Sequence, residues 1–234
     1  LQPGAEYAEQ GHRHHALRHG GGLSSACLLG LGLAVASLSR HVVLRQAARF
    51  YIEIVRGLPI IVLLLYVAFV LAPALVGLVN WGREGLGLEP IRTRDFPLLW
   101  RAILALTIGY SAFIAEVFRA GIQSVDRGQV EAAEALGLSR LQRFRLIVLP
   151  QAIRTILPPL GNDFIAILKD TSLLSVLGVL ELTLRARQYA SGSFKFRDSY
   201  LALSFIYLSL TVVLSLILQV VEKRLNPDQQ GDRP

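Results

Sequence analysis

The residues best suited to chemistry lie in one apolar segment late in the chain. Across 155–180, Asn162, Asp163, Lys169, Asp170 and Ser172 interrupt an otherwise apolar run. Ionisable groups inside such a run are costly, and they usually face a protein interior, a water-filled cavity or a partner. Asp163 and Asp170 are seven residues apart, so a regular helix puts them on nearly one face. Lys169, Thr171 and Ser172 add donors beside Asp170. The chemistry available is therefore charge pairing and hydrogen bonding within an apolar surround. It serves either to hold a charged ligand or to tie this segment to its neighbours. Pro158 and Pro159 bend the start of the helix and free backbone groups that need other partners.

Covalent and metal chemistries find few residues. The sequence has no GxxxxGK[ST] phosphate loop, no HExxH and no paired cysteine ligands. Ser111 and Ser172 have no nearby histidine, since only His41 lies beyond residue 19, and a Ser-His hydrolase is not expected. No catalytic residue is assigned, and no metal site. His12, His14, His15 and His19 form a tract of a kind that can bind metal. Without the apolar core of a signal peptide, segment 1–19 reads instead as a disordered or non-native extension. The absence of methionine and the start at Leu1 suggest a truncated or misassigned beginning.

A second informative run is Glu131 to Pro150, EAAEALGLSRLQRFRLIVLP, lying between two apolar segments. Gln129 to Leu136 is rich in Ala and Glu and favours helix. Gly137 permits a left-handed turn, and Ser139 is suited to cap a second helix that reaches Leu149. Pro150 then closes that helix or opens the next. The result is a helix–turn–helix hairpin. Ala132, Ala133 and Ala135 let a partner approach closely. Leu136 and Leu138 supply apolar contacts at the tip, and Glu131 and Arg140 orient the hairpin or pair with the partner.

Composition sets the surroundings of both regions. Of 234 residues, 53% are hydrophobic and 18% charged, against roughly 25% charged in soluble domains, and mean hydropathy is +0.47. Spans of about 20 apolar residues cross a bilayer, and five are expected, at about 20–39, 57–82, 96–118, 155–180 and 199–221. Arg101 sits near the end of the third, where it could snorkel. Arg56 and Glu116 read as interfacial or loop-packing charges. The fold class is an all-α membrane protein. A polar segment 1–19 precedes a transmembrane domain over 20–225, and a disordered tail, 226–234, follows it. Nucleic acid is not expected despite a net charge of +7, because the arginines flank apolar runs and no nucleic-acid module is present. Cys27, the single cysteine of the sequence, excludes an internal disulfide. With the 119–154 loop placed in the cytoplasm, thirteen of the 24 Lys and Arg fall on that side and ten on the other. That margin is too narrow to fix orientation by the positive-inside rule.

The run 131–150 resembles the EAA loop of bacterial ABC-transporter permeases, with Glu131-Ala132-Ala133, Gly137 and Leu149-Pro150 as anchors. Four further segments are similar to the polar amino-acid uptake branch of that family: Tyr51 to Pro59, Ala115 to Ile122 with Gly128-Gln129, Leu160 to Phe164, and Lys169 to Leu173. The resemblance covers about Leu38 to Leu225. Before that the chain departs from the branch, with a short glycine-rich first span.

The resemblance implies a permease subunit of a binding-protein-dependent amino-acid importer in the bacterial inner membrane. Glu131, Ala132, Ala133, Gly137, Leu138, Leu149 and Pro150 would couple it to an ATPase from the cytoplasmic side. Its partners would be ABC ATPase subunits, a second permease chain, like or unlike, an extracytoplasmic amino-acid-binding protein and the lipid bilayer. No cofactor would be bound by this chain, since ATP and Mg would sit on the ATPase. Asp163 would contact the substrate amino group, with Asn162 and Ser172 helping and Lys169 and Asp170 nearby. The competing reading is a structural polar cluster. An ion-coupled secondary transporter or a non-transporting scaffold are the alternatives. The first usually shows internal repeats, which are not found, and the second has no need of charges in the fourth span.

Overall fold

The computed structural model describes residues 24–225; the histidine tract and the tail expected at 226–234 lie outside them. Among the described residues there are helices and no strands. They are α1 (Ser24–Ser37), α2 (Val42–Gly57), α3 (Ile60–Glu84), α4 (Leu98–Gln123), α5 (Arg127–Ala135), α6 (Arg140–Arg143), α7 (Leu149–Asp170), α8 (Leu182–Ser193) and α9 (Phe196–Leu225). Helices α3, α4 and nearly all of α9 are long and apolar enough to cross a membrane, and α1 is a shorter apolar helix. The segment expected as a span over 155–180 is built differently. Its helix starts earlier, stops at Asp170 and passes into a 3-10 turn over Thr171–Leu177, which Gly178 ends at φ 82°.

Helix α4 is the central element. Small residues, Ala102, Ala105, Gly109, Ser111, Ala112 and Ala115, are buried along it, so α2, α3 and α7 approach its axis. Helix α9 packs on α7 and α8 and turns Leu201, Phe205 and Leu208 outward. Those side chains suit a lipid surround, where an apolar exterior carries no penalty. The closeness of α4 and α7 depends on Gly121. A Cβ there would lie 2.2 Å from Ile156 Cγ1 and 3.3 Å from the Ala152 carbonyl. Gly121→Ala is expected to destabilise by about 1–3 kcal/mol through overpacking, read as a lower Tm in detergent. Gly32→Ala, where a Cβ meets nothing within 4 Å, is the control and leaves Tm unchanged or higher.

Two π turns interrupt the helices, at Val67–Leu71 within α3 and at Phe144–Val148 between α6 and α7. Each precedes a residue-proline pair, Ala72-Pro73 and Leu149-Pro150. Proline has no N–H and its ring crowds the carbonyl of i−4, so the wider turn makes room for it. Pro150 thus lies in the first turn of α7, and the helix runs from Arg140 to Asp170 without a break.

Arg101 does not snorkel. Its side chain is buried, with Nε donating to the Phe96 carbonyl at 2.8 Å, Nη1 to Ala68 at 3.3 Å and Nη2 to Thr93. The reason lies in the first π turn. Ala72 N–H donates to the Val67 carbonyl, so the next bond in that pattern would run from residue 73 to Ala68. Pro73 has no N–H to give, and Arg101 supplies the donor instead. Arg101→Leu is expected to cost on the order of 3 kcal/mol by leaving carbonyls without their charged donor, seen as a fall in Tm.

Candidate functional site

The run 131–150 folds as a hairpin. Asp126 starts its first arm, accepting from Gly128 N at 2.6 Å and Gln129 N at 3.3 Å. The arm ends at Ala135. The chain reverses through Gly137, at φ 81°, where Gly137 N donates to Glu134 O and Leu138 N to Ala133 O. Ser139 caps α6 through a reciprocal box with Gln142: Gln142 N donates to Ser139 Oγ at 3.4 Å and Ser139 N to Gln142 Oε1 at 2.9 Å.

Of the residues singled out in sequence, Glu131 and Ala132 are exposed, Leu138 is half-buried, and Leu149 and Pro150 are exposed at the start of α7. Ala133 points inward and is 5% exposed. The exposed small residues of the first arm are therefore Ala132 and Ala135, with Leu136, 80% exposed, at the tip. The ion pair that spans the hairpin joins Glu134 and Arg143; Glu131 and Arg140 are exposed and form no ion pair among the described residues.

Helix α7 carries the second group. Ile156 meets Gly121 of α4, and Asp170 accepts from Tyr110 of α4 at 2.7 Å. Asp163 lies on the same stripe between them, half-buried. Its Oδ2 is enclosed and finds no donor among the described residues. Asn162 and Lys169 are exposed on the neighbouring stripe, and Ser172 is half-buried beyond the helix end. The structure thus brings Asp163 and Asp170 to one face and leaves Asn162 and Lys169 on another. The donor to Asp170 is a phenol sixty residues away, not Lys169, Thr171 or Ser172. Sequence reasoning missed Tyr110. The available signal was a tyrosine in mid-span, whose hydroxyl needs a partner when buried.

A polar cleft of about 630 Å³ opens between the end of α1, the face of α2 and α4, lined by Arg49, Glu53, Arg56, Phe113, Glu116 and Arg119 among others. Arg49, Glu53 and Arg56 follow helical spacing on α2. Arg56 lies over the Phe113 ring, 5.6 Å from its centroid. Arg119 Nε donates to Glu116 Oε2 at 2.9 Å, its Nη2 pairs with Oε1, and its Nη1 reaches Gln123. Arg56 and Glu116, which read as separate interfacial charges in sequence, line one cavity.

Residues 28–227 match the model of a family described as the binding-protein-dependent transport system inner membrane component. The chain belongs to this family. Its match starts within α1, ten residues before the point where the sequence resemblance fades. Among permease relatives, the probable amino-acid permease protein YxeN of Bacillus subtilis (strain 168) is 36% identical over 201 residues, 86% of this chain and 83% of that one. The glutamine transport system permease protein GlnP of Escherichia coli (strain K12) is 35% identical over 204 residues, 87% of this chain and 86% of that one. A crystal structure of an amino acid ABC transporter with histidines superposes with a TM-score of 0.74 at 34% identity, over 88% of each chain. This permease has the all-α membrane fold of ABC transporters, and its relatives are transport subunits.

Proposed function

We propose that this permease is the membrane subunit of an ATP-driven amino-acid importer in the bacterial inner membrane, with the α5–α6 hairpin on the cytoplasmic side. One observation carries the reading. The hairpin continues through a single unbroken helix into α7, which holds Asp163 and Asp170 on its inner face. A partner ATPase that moves the hairpin would therefore move the helix bearing these charges. Glu131, Ala132, Gly137, Leu138, Leu149 and Pro150 form or support the contact, and Ala133 sets the packing beneath it. ATP and Mg are held by the ATPase, where the ATP is hydrolysed.

Two permease chains, each engaged by an ATPase, alternate between outward-open and inward-open by rigid-body motion. An extracytoplasmic binding protein delivers the substrate. Asp163 takes the substrate ammonium, because it is half-buried on the inner face of α7 and its enclosed Oδ2 finds no donor among the described residues, which is costly for a carboxylate. Asp170, held by Tyr110, shapes the same face. Ser172 completes its edge, while the exposed Asn162 and Lys169 contact the pathway or the second permease. The polar cleft around Arg56 and Glu116 is the inward vestibule. Relatives named for amino-acid and glutamine transport support this substrate class.

The test is uptake into proteoliposomes holding the permease, its ATPase and its binding protein, assayed with a panel of labelled amino acids. Accumulation that requires internal ATP and the binding protein is expected. Accumulation driven by an ion gradient without ATP would replace this reading with secondary transport.

A further inference from the structure

The two arms of the hairpin are joined by more than the turn at Gly137. Three polar links tie them together, two between the arms and one at their base. Ser124 Oγ meets Thr155 Oγ1 at 3.3 Å, Gln151 Nε2 donates to Gln129 Oε1 at 2.6 Å, and Arg143 pairs with Glu134. They succeed one another from the base of the hairpin toward its tip. The inner two lie beside the small cluster of Val125, Ala152 and Ile156. The outer one has less apolar support. Helix α5 buries Ala133 alone, Leu136 is 80% exposed, and a Cβ at Gly137 would meet nothing within 4 Å. At the tip, beside the buried Ala133, the Glu134–Arg143 pair is the side-chain polar link from the first arm to the second among the described residues. Arg143 is also the last residue of α6, immediately before the π turn that leads into α7. Its side chain is 13% exposed while that of Glu134 is 65% exposed, so the Arg143 end is fixed by its surroundings and the Glu134 end meets water, which screens the pair in part.

We infer that Glu134 and Arg143 are positioning residues for transport: their pair locks the partner-facing arm to the helix that carries Asp163, so that motion of the first arm is transmitted and not absorbed by pivoting at Gly137. The inference rests on the coupling reading above and adds that the lever is stiff by virtue of this pair. Without it, the arm still docks on the ATPase, and ATP is hydrolysed, but less of the motion reaches α7. The signature is a fall in substrate moved per ATP hydrolysed, with assembly intact.

The experiment uses the assembled transporter with its co-expressed ATPase and binding protein in proteoliposomes. Glu134→Lys, which sets a cation against Arg143, is expected to lower the ratio of amino acid transported to ATP hydrolysed by about fivefold or more. ATPase copurification and Tm stay at parental values. The exchange variant Glu134→Lys/Arg143→Glu, which restores an opposite-charge pair, is expected to recover at least half of the parental ratio. A parental ratio in Glu134→Lys would overturn the inference. So would a loss of assembly or Tm that accounts for the whole transport defect, or an exchange variant no better coupled than Glu134→Lys. Failure of the parent itself to copurify with the ATPase is a different result, which would remove the coupling reading on which the inference stands.

Discussion

Replacing Gly137 with valine is expected to lower ATP-driven uptake at least tenfold while the membrane-embedded body keeps its Tm. The argument is one of backbone conformation. Gly137 sits at φ 81°, and a Cβ there touches nothing within 4 Å, so crowding plays no part. A left-handed residue costs roughly 1–2 kcal/mol for an ordinary L side chain, and a β-branched one is a genuine outlier there. Helix α5 contributes little burial to offset that cost, so the turn opens and the tip loses its shape. Two further substitutions separate backbone from surface. Gly137→Asn, tolerated in the left-handed region, is expected to transport near the parental rate. Gly137→Asp shares that tolerance but sets a charge at the exposed tip, so its defect reports on the partner contact. Uptake and copurified ATPase, measured side by side for the three variants, give the order Asn above Asp and Val. Parental uptake by the valine variant would show that the turn's shape is irrelevant to transport.

The second large effect belongs to Asp163. Asp163→Asn keeps the volume and removes the charge, and it is expected to reduce uptake by about 10–100-fold, the loss of a charged hydrogen bond worth about 1.5–3 kcal/mol. ATPase copurification is unchanged. Stability distinguishes this from a structural role. The enclosed Oδ2 has no donor among the described residues, so neutralising this half-buried side chain lowers the cost of that unmet oxygen and leaves Tm equal or higher. A lower Tm together with parental uptake would identify Asp163 as a structural tie and contradict the substrate contact. Asp170 offers the comparison. Its partner, Tyr110, is present, and Asp170→Asn retains an acceptor for that hydroxyl, so its transport defect is expected to be smaller.

Local chemistry was legible where neighbouring residues decide it. The hairpin could be read from Gly137 and Ser139, because a left-handed turn and a capping box depend on residues within a few positions of each other. Its inner packing could not. Ala132 and Ala133 are identical in type, and the direction each faces is set by where α5 meets α6 and the π turn that follows it. The polar residues of α7 show the same division. Spacing alone put Asp163 and Asp170 on one face, whereas Tyr110 as the partner of Asp170 depends on how α4 lies against α7. Arg101 is the clearest failure of local reading. Its position near a helix end suggested snorkelling, but a proline 28 positions earlier removed an N–H and created the carbonyl that Arg101 satisfies. The cleft at Arg56 and Glu116 was hidden for a related reason, since α2 and α4 contribute its charges from separate parts of the sequence.

The central claim is that transport energy enters through the hairpin tip, and a site-directed cross-link tests it most directly. With Cys27 replaced by alanine, Leu136→Cys leaves one thiol, at a position 80% exposed at the tip. In membranes containing the co-expressed ATPase, a short bifunctional thiol–amine reagent is predicted to join Leu136→Cys to the ATPase subunit and to abolish uptake. The same treatment of Leu208→Cys, on the outward face of α9, is predicted to yield no such adduct. Full ATP-driven uptake by a permease whose Leu136→Cys never cross-links to the ATPase would contradict the account.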